Sequence, residues 1–320
     1  MTPATMRAVR LHGPRDLRVE TLPVPEPAAG ELLVRIEACG VCPTDVRKFL
    51  VGTADGAYPL NPGHEWVGHV EAVGAGVPTW EPGARVYGDT YAGYAEYALL
   101  PVEAADWSYG ALAVPDALST ERAVFVEPLA DCLHAVHDQG RVQTGDRVVV
   151  LGAGHMGLQI VLAAAGAGAR VLAVDPLPGR RELALSFGAE DARHPSRWDS
   201  AGERAEVVIV TVGDPALVAQ ALAAAAPGGR VVLFAGFGAS GEAVVDLNRL
   251  HYEEIALLGS EWIGSPPNQR RERYQDALEL LASGVAQLEQ LVTDRCGLDG
   301  VEASFEALRR HRSLKTIVIP

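Results

Sequence analysis

The segment RVVVLGAGHMGLQIVLAAAGAGARVLAVD, residues 147–175, constrains the fold of this chain more than any other. Its apolar run Val148–Leu151 has the character of a strand buried on both faces, and it stops at Gly152-Ala153-Gly154-His155-Met156-Gly157, after which an alanine-rich stretch reads as a helix. The three glycines have separate physical roles. The first permits a tight turn, the second lets the backbone approach a pyrophosphate, and the third lets the helix pack closely on the strand, leaving the helix N-terminus to face the phosphates. The next strand-like run ends in Asp175, 18 residues past Gly157. A carboxylate there can accept hydrogen bonds from adenosine ribose hydroxyls and repels a 2′-phosphate. The segment predicts a dinucleotide site built on Gly152, Gly154, His155, Met156, Gly157 and Asp175, with NAD favoured over NADP. Arg180 and Arg181 are the counterweight, cations near the adenosine end that equally suit a solvated helix start.

The surrounding pattern supports a layered α/β fold. AEVVIVTVG and GRVVLFAGF are further buried-looking strands, and helical segments are expected at about 157–165, 180–187 and 215–226. Strands alternating with helices imply a doubly wound parallel sheet. Thr211 and Val212 after one strand, and Phe234 and Ala235 after the next, would then wall the cofactor groove. From Met6 to about Leu100 the sequence is instead a series of short alternating runs broken by Gly and Pro, as in an irregular β-rich domain with few helix signals. Tyr274, Leu278 and Leu281 have helical spacing, and the terminal SLKTIVIP reads as a strand that need not belong to the parallel sheet. A hinge is expected after about Ser119.

Of the 320 residues 41 are acidic and 27 basic, a formal net charge of -14, which argues against a nucleic-acid partner and favours a small neutral or cationic ligand. The first 20 residues carry no apolar core of a signal peptide, and no apolar stretch reaches the roughly 18 residues of a membrane span, so a cytoplasmic protein is expected. Four cysteines, Cys39, Cys42, Cys132 and Cys296, are too few for a disulfide scaffold. A Cys-x-x-Cys pair at 39 and 42 instead points to metal or redox chemistry.

Cys42-Pro43-Thr44-Asp45 and Gly63-His64-Glu65 bring a thiol, an imidazole and carboxylates into the β-rich part, and Glu127-Pro128-Leu129 adds a carboxylate near the hinge. Sulfur, nitrogen and carboxylate oxygen with one open position are the donors of a catalytic zinc.

Together, CGVCPTD, NPGHEWVGHVEAVG, FVEPLADCLHAV and the glycine-rich segment resemble, in this order, the zinc-containing medium-chain dehydrogenase/reductase family, in particular its sorbitol, threonine and sugar dehydrogenase branch. The resemblance covers essentially the whole chain. It implies a GroES-like catalytic domain at 1–119, completed by 291–320, a Rossmann domain at 120–290, and an active site in the cleft between them. Carried over, it makes Cys42, His64 and Glu127 zinc ligands, Glu65 an intermittent or water-mediated one, and Asp45 the group that orients the histidine. Thr44 would take the proton of a substrate hydroxyl whose pKa the zinc lowers, and hand it to the nicotinamide ribose while hydride passes to NAD. The substrate would be a small alcohol or polyol, and the protein a homodimer or homotetramer. Many relatives carry a second, structural zinc on a four-cysteine lobe. The corresponding stretch, Asp89 to Tyr94, has no cysteine, so one catalytic zinc and no structural zinc is expected. Arg47 stands where many relatives have a proton-relaying histidine. Cys39 is expected to pack rather than ligate. Trp66, Trp107 and Tyr109 suit either core or substrate pocket, core being the commoner fate of such aromatics, and His69, His134 and His137 have no assigned role. Two other readings stay open: a zinc-free quinone or enoyl reductase of the same superfamily, which would not need the ligand set, and a nucleotide-binding regulatory protein without catalysis.

Overall fold

The computed structural model describes residues 2–53, 56–103, 109–237 and 241–320. Trp107 lies outside them. The chain divides into two compact units, Met1–Pro128 with Tyr274–Pro320, and Leu129–Arg273; the sequence reading drew the lines after 119 and after 290.

The first unit begins with an antiparallel hairpin of β1 (Thr5–Gly13) and β2 (Asp16–Pro23). A mixed sheet follows, built on β3 (Glu31–Gly40), β4 (Glu65–Val73), β5 (Arg85–Gly88), β6 (Tyr97–Pro101) and β7 (Leu112–Ala113). Leu32, Val34 and Ile36, at every second position of β3, enter one core with Trp66, Val86 and Leu100, as the two-residue period of a strand requires. Few helix signals stand in this part of the sequence, yet Pro43–Val51 is a helix. Cys42 is its N-cap and Pro43 takes a first-turn position, where a missing N–H costs nothing. At the other end the Gly52 N–H bonds to the Lys48 carbonyl at 2.9 Å. Trp66 is fully buried, so the core reading holds for it. Its indole N–H donates to Thr90 O at 2.7 Å, and a Cβ at Gly88 or Gly93 would collide with the ring. The loop between β5 and β6 is therefore moulded on Trp66.

The second unit is a six-stranded parallel sheet of β8 (Arg147–Leu151), β9 (Arg170–Val174), β10 (Asp191–Arg193), β11 (Ala205–Val210), β12 (Ala225–Leu233) and β13 (Ala256–Gly259). The spatial order is β10-β9-β8-β11-β12-β13, the doubly wound arrangement of dinucleotide-binding sheets, whose switch point falls between β8 and β11. Helices His155–Gly166, Pro178–Ser186 and Ala216–Ala224 lie close to the expected segments. His134, left unassigned from sequence, is a buried structural residue. It meets Asp138 at 2.9 Å and stacks on Trp262 with ring centroids 4.3 Å apart. Arg273 also donates to Asp138, at 3.1 Å. Burial would raise the Asp138 pKa, but the hydrogen bonds from His134 and Arg273 outweigh it and hold the carboxyl down to about 2.

The chain then returns to the first unit. β14 (Val292–Cys296) and β15 (Lys315–Val318) add to its sheet, giving the order β14-β15-β3-β4-β5-β7 with β6 on the other part of β3. The terminal strand thus lies outside the parallel sheet. No helix among the described residues is long and apolar enough to cross a membrane.

Trp66→Ala should cost about 3–5 kcal/mol through the cavity it leaves, read as a lower urea midpoint; a loss under about 1 kcal/mol would mean that the loop does not depend on the indole. Asp138→Asn should cost about 1–3 kcal/mol at neutral pH. Because the folded pKa of Asp138 is depressed, its contribution is full above the unfolded value and is lost as pH falls. The gap between wild type and variant in pH-dependent denaturation should therefore close from about pH 4 towards 2.

Candidate functional site

Three strands bring the first group of side chains together. Glu65 opens β4 and pairs in register with Gly40 at the end of β3, beside which runs β15. Lys315 of β15, fully buried, makes an ion pair with the equally buried Glu65. The pair passes over Gly40, where an added Cβ would clash with Glu65 Oε2 and stand 2.7 Å from Lys315 Cε. Glycine at 40 makes that crossing possible. Burial alone would lower the Lys315 pKa, but Glu65, then Cys42 and Glu127, outweigh it and raise it. Nothing in the sequence reading identified Lys315. The available signal was a single lysine at the start of the terminal strand-like run KTIVI, which must find a partner if the strand is buried.

Cys42 and His64 stand beside this pair. The Cys42 sulfur accepts the Thr44 N–H at 3.4 Å, which fixes the side chain at a helix N-terminus. His64 follows a turn that requires glycine and faces a buried carboxylate. Gly63 has φ +90, and a Cβ there would come within 2.8 Å of the Tyr94 nitrogen. Asp45, buried, accepts the Gly63 N–H at 3.2 Å and the Tyr94 hydroxyl at 2.9 Å, and its Oδ1 lies 3.6 Å from His64 Nδ1. Burial would lower the His64 pKa, yet the charges of Asp45 and Cys42 raise it well above the ordinary value. Burial would likewise raise Asp45, and His64 with its hydrogen-bond donors brings it below the usual range.

Donor atoms of Cys42, His64 and Glu65 all lie within 4.8 Å of one another, the convergent metal-ligating set among the described residues. Glu127 is not in that set. It lies at the start of the helix Val126–Leu133, its N–H donates to the Tyr87 hydroxyl at 3.3 Å, and its charge acts on both Tyr87 and Lys315. Cys39 is buried with its thiol directed at Gly40 O, 3.5 Å away, and burial pushes its pKa well up. Arg47 is exposed, and Thr44 partly buried. Tyr109 stacks on Tyr274 with centroids 4.9 Å apart, while Asp89 accepts from the Tyr109 N–H and the Tyr274 hydroxyl. His69 borders the partly buried Arg85–Glu37 ion pair, with Nδ1 3.9 Å from Glu37.

In the second unit the predicted groove residues lie just past the carboxyl ends of β8, β9, β11 and β12. The Thr211 hydroxyl donates to Leu151 O at 2.9 Å and lies 3.0 Å from Gly152 O. Gly152 has φ +99, and a Cβ there would strike Val212. A Cβ on Gly157 would overlap Gly152 O, so the third glycine is needed for close helix packing. Gly154 caps the helix that begins at His155 and Met156. Phe234 and Ala235 hang from Val210 O through N–H bonds of 3.0 and 3.1 Å. Asp175 is buried and already accepts Ala153 N–H and Leu177 N–H, each at 2.8 Å. It stitches the glycine loop to the following turn, a role unforeseen from spacing. Arg180 reaches to 3.8 Å from Asp175, whereas Arg181 bonds the Asp175 and Pro176 carbonyls.

Comparison with known proteins agrees with both halves. Residues 28–114 match the alcohol dehydrogenase GroES-like domain, and residues 152–283 match the zinc-binding dehydrogenase domain. The chain is 29% identical to sorbitol dehydrogenase of Bacillus subtilis, over 99% of this chain and 98% of that protein. A zinc-binding dehydrogenase of Sinorhizobium meliloti, solved with NADP bound, superimposes with TM-score 0.87 at 28% identity, covering 99% of this chain and 100% of the other. For the 2R,3R-butanediol dehydrogenase of Bacillus subtilis the values are 0.85 and 26%, covering 98% and 99%. The chain belongs to the zinc-type medium-chain alcohol dehydrogenase family.

Proposed function

We propose that this protein is a zinc-dependent dehydrogenase that oxidises a secondary alcohol of a polyol or related hydroxy compound, with NAD as hydride acceptor. The observation that carries the reading is the convergence of Cys42, His64 and Glu65 within 4.8 Å. A soft thiol, an imidazole and a carboxylate, with Asp45 behind the imidazole, are a donor set suited to zinc. Cys42 and His64 would hold the ion with a carboxylate from Glu127, and Glu65 stands beside them, charge-balanced by Lys315. Zinc held there would supply Lewis-acid polarisation of the substrate hydroxyl.

The remaining work falls to the chain. Thr44, beside Cys42 in the first turn of the helix, would receive the hydroxyl proton and pass it towards the cofactor ribose. The glycine loop and the N-terminus of His155–Gly166 would hold the pyrophosphate, with Thr211, Val212, Phe234 and Ala235 as groove walls. Asp175 supports NAD: each of its oxygens accepts one backbone N–H and retains a lone pair for a ribose hydroxyl, while its charge opposes a 2′-phosphate. One zinc per chain is proposed, because Asp89 to Tyr94 offers no cysteine for a second. The similarity to sorbitol and butanediol dehydrogenases supports vicinal hydroxy compounds as the substrate class.

Protein purified without chelators should contain about one zinc per chain, and its removal should abolish NAD-linked oxidation of sorbitol and 2,3-butanediol until zinc is restored; full activity without metal would overturn the proposal. Cys42→Ser should eliminate turnover while NADH binding, followed by fluorescence, persists. NADP measured in parallel should give the lower kcat/KM.

A further inference from the structure

The helix Pro43–Val51 carries a charge that the proposed chemistry does not use. Lys48 stands one turn beyond Thr44 on the same face, a spacing of about 5–6 Å between Cβ atoms. Its ammonium donates to the Tyr91 hydroxyl and lies 3.7 Å from the centroid of that ring. The Tyr91 ring packs edge-on against the imidazole of His64, centroids 5.4 Å apart. Lys48 is thus held within one aromatic ring of a candidate zinc ligand, and it is partly buried there. Its partner is neutral. Among the described residues no carboxylate lies within ion-pair distance of it, whereas Glu65, beside the candidate ligands, is ion-paired with Lys315. Arg47, the adjacent cation, is exposed to solvent, where screening weakens it.

A lysine stem is long and flexible enough to place its ammonium in water. Here the ammonium is turned instead to the aromatic wall beside the ligands, which leaves a fixed positive charge one helical turn from the proposed proton acceptor. We propose that the hydroxy compound oxidised here carries an anionic group, a carboxylate or a phosphate, within the span of a short polyol chain from the reacting carbinol, and that Lys48 selects it. The inference rests on the dehydrogenase reading above and narrows its substrate class. The chain's net charge of -14 favours neutral or cationic ligands at long range, but beyond about 8 Å surface charges are largely screened at physiological salt. The local cation decides recognition at contact.

The test uses the zinc-loaded enzyme with NAD and substrates that share a carbon chain but differ at its end: sorbitol, sorbitol 6-phosphate and gluconate. At least one anionic member should exceed sorbitol in kcat/KM by roughly tenfold or more, and the phosphate and carboxylate arms identify which anion is read. Lys48→Met should lower the anionic-to-neutral ratio of kcat/KM by roughly 10- to 100-fold, the loss of one charge-assisted hydrogen bond, and Lys48→Arg should restore part of it. NADH binding checks that each variant is folded. Oxidation of sorbitol without an anion preference, or a ratio unchanged in Lys48→Met, overturns this inference and leaves the dehydrogenase reading standing. Oxidation of none of the three, nor of 2,3-butanediol, overturns both.

Discussion

The ion pair between Lys315 and Glu65 is the interaction on which the catalytic unit depends. Two buried charges meet across a glycine, one from the fourth strand and the other from the last. A buried pair of this kind gains little net stability over an apolar equivalent, but removing either partner leaves an uncompensated charge in the interior. Its value lies in what it excludes. β15 is short, and a slip of one residue would turn Lys315 to the opposite face of the sheet, so the pair sets the register in which the C-terminal strand joins β3. The same ammonium balances the negative charge that accumulates around Cys42, Glu65 and Glu127.

Around that pair, positions are set by short-range constraints acting in series. Asp45 fixes Gly63 and Tyr94 through hydrogen bonds and faces His64. Trp66 moulds the loop from which Tyr91 and Tyr94 project. The site arises because a helix cap, a glycine turn and a strand start fall next to one another in the sheet.

The nucleotide-binding half was legible in the sequence because its evidence is local. A strand, a glycine loop, a helix and an acidic strand end lie within 29 residues, and each element can be recognised from its own period. What spacing did not show there was the second use of Asp175, since backbone partners of a carboxylate leave no mark on it. In the catalytic half, Cys42, Asp45, His64 and Glu65 could be picked out by residue type, but their mutual arrangement could not. Lys315 and Glu65 are separated by 250 positions, and Tyr94 and Asp45 by 49. Only strand order brings such residues together. The helix Pro43–Val51 was hidden because its nine residues are too few to display a period, although the proline at its start was a usable signal. Glu127 and Glu65 were both grouped with Cys42 and His64 by resemblance, and sequence could not show that Glu65 is the one whose oxygen lies within 4.8 Å of both.

Cys42 acts as the cap of the helix that carries Thr44, Asp45 and Lys48. One sulfur atom is therefore both the terminus of a secondary-structure element and a candidate metal donor. A change at that sulfur therefore reaches two things at once, the donor set and the start of the nine-residue helix that carries a hydroxyl in its first turn and an ammonium in its second.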